Sequence, residues 1–262
     1  MQIDSGTTQE FWQGGEDAPR ASVRRLTIER CRIALWWLML VAVVAVAIMN
    51  LRFLWIDVPR IMHRAVDHLE HDRFKLFLHL STAPFILVTG AVLFRRALRQ
   101  RWPRLHRWGG RIYLSAVLVT APATFLMALR ETEGPLTVLS FATLSILWFG
   151  TALLAWRAAL RRDHNAHGRW MVRNYALTFT NVTFRAELHL LLLLGFPLPL
   201  VYEPVRILQI IPNLIVAELI IRSRFLTAAK WSSLRLGQRK EWSITRTNSG
   251  SGTGTTANRS GS

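Results

Sequence analysis

The chain has 262 residues, 51% of them hydrophobic and 19% charged, with a mean hydropathy of +0.22. Its 33 Lys and Arg against 16 Asp and Glu give a formal charge of +17, yet the basic residues sit between long apolar runs rather than on one polar face or tail. That pattern excludes an ordinary soluble enzyme, a disordered basic protein and a nucleic-acid binder. The single cysteine, Cys31, excludes a disulfide framework, a cysteine zinc site and an iron–sulfur cluster.

Six segments are apolar over the roughly 17–25 residues that a membrane-crossing helix needs. In chain order they run Ile33 to Leu54, Phe74 to Phe94, Ile112 to Leu129, Leu136 to Trp156, Met171 to Gly195 or Phe196, and Pro204 to Ile221. The last is the least apolar by inspection, with Gln209, Pro212, Asn213 and Glu218 inside it. The fold class is therefore all-α, a polytopic membrane helical bundle of about six transmembrane helices. Residues 1–32 read as a disordered basic segment, 33–222 as the transmembrane domain, and 223–262 as a basic, then Ser/Gly/Thr-rich disordered tail. Ala45-Val46-Ala47 resembles a cleavage site, but the basic region ahead of it is too long and the apolar run continues past it.

Basic residues set the orientation. Five precede the first span (Arg20, Arg24, Arg25, Arg30, Arg32), seven lie from Arg95 to Arg111, and five lie from Arg157 to Arg173. Seven more lie from Arg222 to Arg246, against six on the three remaining connections and the span ends beside them. The positive-inside rule then places both termini in the cytoplasm of a multi-pass protein of the cell (plasma or inner) membrane. The bilayer is the first partner. Anionic lipid is a further candidate, and nucleic acid is not needed to explain the charge.

Polar residues within hydrocarbon are candidates for function because burying them is costly. Asn174, Thr178, Asn181, Arg185 and His189 follow at spacings of four, three, four and four, so they form one stripe along the fifth span. An unpaired Arg185 costs at least about 2.5–3.5 kcal/mol there, so it needs an anionic or strongly accepting partner. Glu218, a ligand carboxylate or a phosphate are the candidates, since Glu187 points elsewhere on its helix. His79 and His189 come from different helices at similar depth, which is what axial ligation of a b-type haem requires. Arg185 would then meet a propionate. A pair of hydrogen-bonded interior histidines explains the same residues without a cofactor.

Two junctions resemble each other: His106-Arg107-Trp108-Gly109-Gly110-Arg111-Ile112-Tyr113 and His167-Gly168-Arg169-Trp170-Met171-Val172-Arg173-Asn174-Tyr175. Each reads His, then Arg-Trp, then Arg-x-Tyr, and each opens a span, as in a weak repeat of two helical hairpins. Arg107, Arg111, Arg169 and Arg173 offer anion binding at helix starts, to lipid phosphate, a quinone head group or a haem propionate. Belts of Trp and Tyr with basic anchors explain the same junctions without a ligand. A second haem on His106 and His167 is disfavoured at this level, because both precede their apolar runs. In the loop from Asp57 to Arg73, His63, Asp67 and His71 share a helical face, but an amphipathic surface helix accounts for that segment and no metal site is assigned.

His79, the His106 to Tyr113 junction, and His167 to Arg173 followed by Thr183-Phe184-Arg185 are similar to the predicted membrane proteins catalogued as domain of unknown function 2306. The resemblance covers about Phe74 to Ile221, and it implies a multi-spanning bacterial-type membrane protein without an assigned activity. His79, His106, Arg111, His167, Arg173 and Arg185 match the family pattern. His189 lies outside it, where an apolar or aromatic residue is expected. The leading expectation of function is a membrane electron-transfer protein binding haem b or quinone through His79, His189, Arg185, His106 and His167. The alternative is a non-catalytic lipid-binding, transport or assembly protein gripping anionic head groups through the junction arginines. A proton relay through Arg185, Glu187 and Glu218 is a third. No hydrolase or transferase motif is present.

Overall fold

The computed structural model describes residues 7–51, 72–131 and 134–223, and among them every regular element is a helix. These are α1 (Thr7–Leu51), α2 (Arg73–Leu93), α3 (Arg96–Arg101), α4 (Pro103–Ala128), α5 (Pro135–Leu160), α6 (His164–Leu193) and α7 (Leu198–Leu208), with residues 210–223 helical beyond α7. The loop carrying His63, His68 and His71 and the tail after 223 lie outside the described residues. The chain divides into two compact units, 1–213 and 214–262. In the second, residues 214–223 are helical, with Ala217 and Ile221 buried.

Among the described residues, five helical stretches are long and apolar enough to cross a membrane: Glu29–Leu51, Arg73–Leu93, Pro103–Ala128, Pro135–Leu160 and Leu200–Ser223. The polar one is α6. It is long enough, at 30 residues, but its stripe of Asn, Thr, Arg and His keeps it out of that set. The last span, the least apolar by inspection, is within it. The outward faces support membrane residence. Leu35, Leu38, Val41 and Ile48 on α1 are each more than 60% exposed, a continuous apolar surface that water does not tolerate and lipid does.

Within unit 1 each long helix packs on its neighbour in sequence: α1 on α2, α2 on α4, α4 on α5, α5 on α6. The α6 helix is the hub, packing also on α1, α2 and α7. From Asn174 to Arg185 the polar face of α6 is thus turned to other helices, as its cost in hydrocarbon demands. His79 of α2 meets Thr124 of α4, Thr82 meets Thr120 at 2.8 Å and Leu93 meets Gly109, so one helix ascends as the other descends and the pair is antiparallel. One end of the bundle collects the arginine-rich starts of α4 and α6, and we call it the basic end. The other carries the start of α2, where buried Asp72 pairs with Lys75 and with Arg130 just past α4.

Local chemistry sets the boundaries. Pro103 and Pro135 stand at the first turns of α4 and α5, where no backbone N–H is needed. Asp163 caps α6 by accepting from the Ala166 N–H at 2.9 Å. The junction motifs therefore lie in the opening turns of helices rather than in loops. At the far end of α6, Gly195 takes φ 88°, and its N–H and that of Phe196 bond back to Leu192 and Leu191. This is a Schellman stop that only glycine makes without strain. The end of α5 makes the same closure with Arg162 at φ 58°.

The last span breaks at Gln209 rather than at Pro212 itself. Proline removes the N–H that would reach Leu208 and clashes with that carbonyl, so the disruption falls just upstream. Side chains answer the disturbed backbone. The Ser140 hydroxyl and the Gln209 amide both donate to the Arg206 carbonyl, and Asn213 donates to the Gln209 carbonyl. In lipid this repair is compulsory, because no water is present to make it.

Candidate functional site

The polar stripe of α6 does two different jobs along its length. Nearer the basic end, fully buried Asn174 accepts from the Tyr113 hydroxyl at 2.8 Å and donates to the Trp148 carbonyl and the Thr151 hydroxyl, both at 2.9 Å. Thr178 accepts from the Trp148 indole at 2.9 Å and lies 3.0 Å from the Tyr113 hydroxyl. Both amide hydrogens of Asn174 and its oxygen are used, so this network closes α4, α5 and α6 together with its polar capacity spent.

Toward the opposite end the stripe meets α1 and α2. Arg185 donates to the Asn181 carbonyl at 2.8 Å, to the Asn181 side chain and to the Asn50 side-chain oxygen. Sequence reasoning required a strong acceptor for Arg185 and missed Asn50. The signal was there, a lone amide near the end of the apolar run in α1. His79 sits against α4, its Nδ1 2.9 Å from the Thr124 hydroxyl, and within the electrostatic reach of Arg185. His189 lies one turn beyond Arg185 and is exposed at the bundle surface, with Nδ1 bonded to the Arg185 carbonyl.

The tautomers follow from these partners. Thr124 gives its own hydrogen to the Thr120 carbonyl at 3.0 Å, so it accepts from His79, whose Nδ1 carries the proton. Carbonyls only accept, so His189 and also His167, whose Nδ1 is 2.9 Å from the Ala155 carbonyl, are likewise protonated at Nδ1. In the neutral tautomer that these contacts select, the nitrogen left for a ligand is Nε2 in all three imidazoles. A ring nitrogen tied to oxygen behind, with the other open in front, is how metal-ligating histidines are held.

At the basic end the two junctions share their structure as well as their letters. The Arg111 guanidinium stacks on Trp108 at 5.0 Å, and that of Arg173 stacks on Trp170 at 4.7 Å, each three residues on from its tryptophan. The tyrosine that ends each motif is buried, and both rings close on Gly90 of α2. A Cβ there would lie 2.4 Å from Tyr175 and 3.0 Å from Tyr113. Tyr175 donates to the Leu87 carbonyl at 3.1 Å. His106 shares the field of Arg99 and His167, and its buried Nδ1 has no hydrogen-bond partner among the described residues. Arg107 is exposed and Arg169 half-buried on the same turns.

The match to known proteins falls on this same architecture. The family described as "Predicted membrane protein (DUF2306)" matches residues 76–221. The chain belongs to that family. The match takes in α2 to α7, both junctions, and every histidine and arginine named above except the residues of α1 and the outer loop. Asn50, the α1 partner of Arg185, therefore lies outside the family segment. No curated protein and no solved structure matches the chain.

One buried cation was not singled out from sequence. Arg206 of α7 is 8% exposed and lies over the rings of Tyr202 at 4.1 Å, Phe141 at 4.6 Å and Phe184 at 5.8 Å. Aromatic faces from α5, α6 and α7 thus shield a guanidinium inside the bundle. Its sequence signal is only Tyr202 four residues earlier on the same helix, since Phe141 and Phe184 arrive from elsewhere.

Proposed function

We propose that this membrane protein binds b-type haem and carries electrons, with His79 and His189 as axial ligands near the end opposite the basic one and Arg185 beside a propionate. The observation that carries this reading is the set of tautomers. His79 and His189, from two helices, each present Nε2 while Nδ1–H is held from behind. Arg185 lies one turn before His189 on the same helix and within the electrostatic reach of His79, so its cationic head would suit a carboxylate in a low-dielectric setting. A membrane quinol is the chemical class of reductant. When bound, haem would supply a one-electron couple, so oxidation of one quinol, with loss of two electrons and two protons, would take two successive reductions of that group. In the orientation set by the basic loops, both termini are cytoplasmic, the membrane is the plasma membrane, and His79 lies toward its outer side.

The test is a dithionite-reduced minus oxidised visible spectrum of protein made in haem-supplied membranes and extracted in mild detergent. Sharp b-type bands that disappear in His79→Ala and weaken in His189→Ala support the reading. A featureless spectrum from folded protein ends it.

A second reading has its own observation, the duplicated stacking of Arg111 on Trp108 and of Arg173 on Trp170. Stacked guanidinium groups at helix starts suit anionic head groups, so the basic end would grip phospholipid phosphate. Arg111→Ala with Arg173→Ala should then lower phosphatidylglycerol co-purification several-fold while leaving any haem spectrum in place.

A further inference from the structure

The pairing of Tyr113 with Asn174 has a consequence two turns toward the basic end. His106 stands seven residues before Tyr113 and His167 seven residues before Asn174. Seven residues are two helical turns, about 10 Å along the axis and only about 20° off the same face. Because Tyr113 and Asn174 meet at 2.8 Å across the gap between α4 and α6, the two histidines face one another across that same gap. At the paired level a tyrosine ring, one hydrogen bond and a short amide fill the space. Two imidazoles with a metal ion between them have comparable reach.

The chemistry of the two rings fits the placement. His167 is held through Nδ1–H by the Ala155 carbonyl, which makes Nε2 the nitrogen left for a ligand. The buried Nδ1 of His106 has no hydrogen-bond partner among the described residues, so contacts within the protein do not account for the burial of this ring. The positive charge of Arg99 acts on His106, as does His167 itself. A bare divalent cation is disfavoured in such a field. A haem, whose two propionates bring negative charge with the iron, is favoured.

We infer that His106 and His167, facing each other between α4 and α6, are the axial ligands of a second haem at the basic end. The inference deepens the haem reading above and rests on it. It names a second, separate site whose ligands come from the two repeated junctions. The disfavour that sequence alone attached to this pair, that both residues precede their apolar runs, is lifted because both lie inside helices that extend past the apolar segments.

The experiment is a haem-to-protein ratio by pyridine haemochrome on detergent-purified protein, for the native chain and for His79→Ala, His106→Ala and His167→Ala. Size-exclusion elution and helical circular dichroism report on folding. Two haems per chain, falling to one in each of the three variants, support the inference. One haem per chain that is lost in His79→Ala and retained in both His106→Ala and His167→Ala overturns it and leaves the first site standing. One haem lost in His106→Ala and His167→Ala but kept in His79→Ala supports it and overturns the His79–His189 site instead. No haem in the folded native chain overturns both. If a variant fails to fold, the native protein decides by potentiometric titration: two one-electron components support two sites, and a single component overturns the second.

Discussion

The two halves of the α6 stripe continue one helical spacing, yet the first is closed within three helices and the second leaves imidazole nitrogens outside its bonding. Around Asn174 and Thr178 the amide hydrogens, the amide oxygen, a phenol and an indole are matched within α4, α5 and α6. Around Arg185 and His189 the partners come from α1 and from the stripe's own backbone, and the imidazoles of His79 and His189 keep one nitrogen each outside that bonding. Polar residues in a membrane are retained either as glue or as chemistry, and the count of used donors and acceptors separates the two.

The largest effect should come from breaking the closed half. Asn174→Leu removes three interhelical hydrogen bonds, to Tyr113, Trp148 and Thr151. A loss of about 2–4 kcal/mol is expected, read as a large fall in the thermal midpoint of the detergent-purified protein. Gly90→Ala tests the shared floor of the two tyrosines. The new methyl would overlap the Tyr175 ring, and about 1–3 kcal/mol of destabilisation is expected from the same melt.

Asn50→Leu should cost less, about 1–2 kcal/mol, because Arg185 retains Asn181. Under the haem reading it should also shift the midpoint potential of the His79 site, since Arg185 is freed to turn. An unchanged potential would sink the link between Arg185 and that cofactor. The smallest change is favourable. Arg162→Gly relieves a left-handed backbone at the end of α5 and should stabilise the fold by about 0.5–1 kcal/mol, measured as a small upward shift in the same midpoint. A downward shift would mean that the Arg162 side chain, not its backbone, matters to that turn.

Much of this was legible in one dimension. The spans near Phe74 to Phe94 and Leu136 to Trp156 match α2 and α5 within a few residues, because long apolar runs leave lipid-facing helix as the one economical solution. The apolar runs from Ile112 and Met171 begin later than α4 and α6 themselves, whose opening turns are the junction motifs. Polar residues there hide the boundary from hydropathy, whereas Pro103 and the Asp163 cap mark it. The repeat of the two junctions was also readable, though not that its tyrosines would share Gly90 of a third helix.

What the sequence determined by itself was the class of solvent the chain lives in, the helical bundle, and the stripe on α6, since these depend on composition and on the helical period alone. What only the tertiary structure decided was the set of partners: Asn50 for Arg185, Thr124 for His79, and the aromatic ring set around Arg206. Such pairings join residues tens of positions apart. They depend on the separation and rotation of packed helices, which no local pattern encodes.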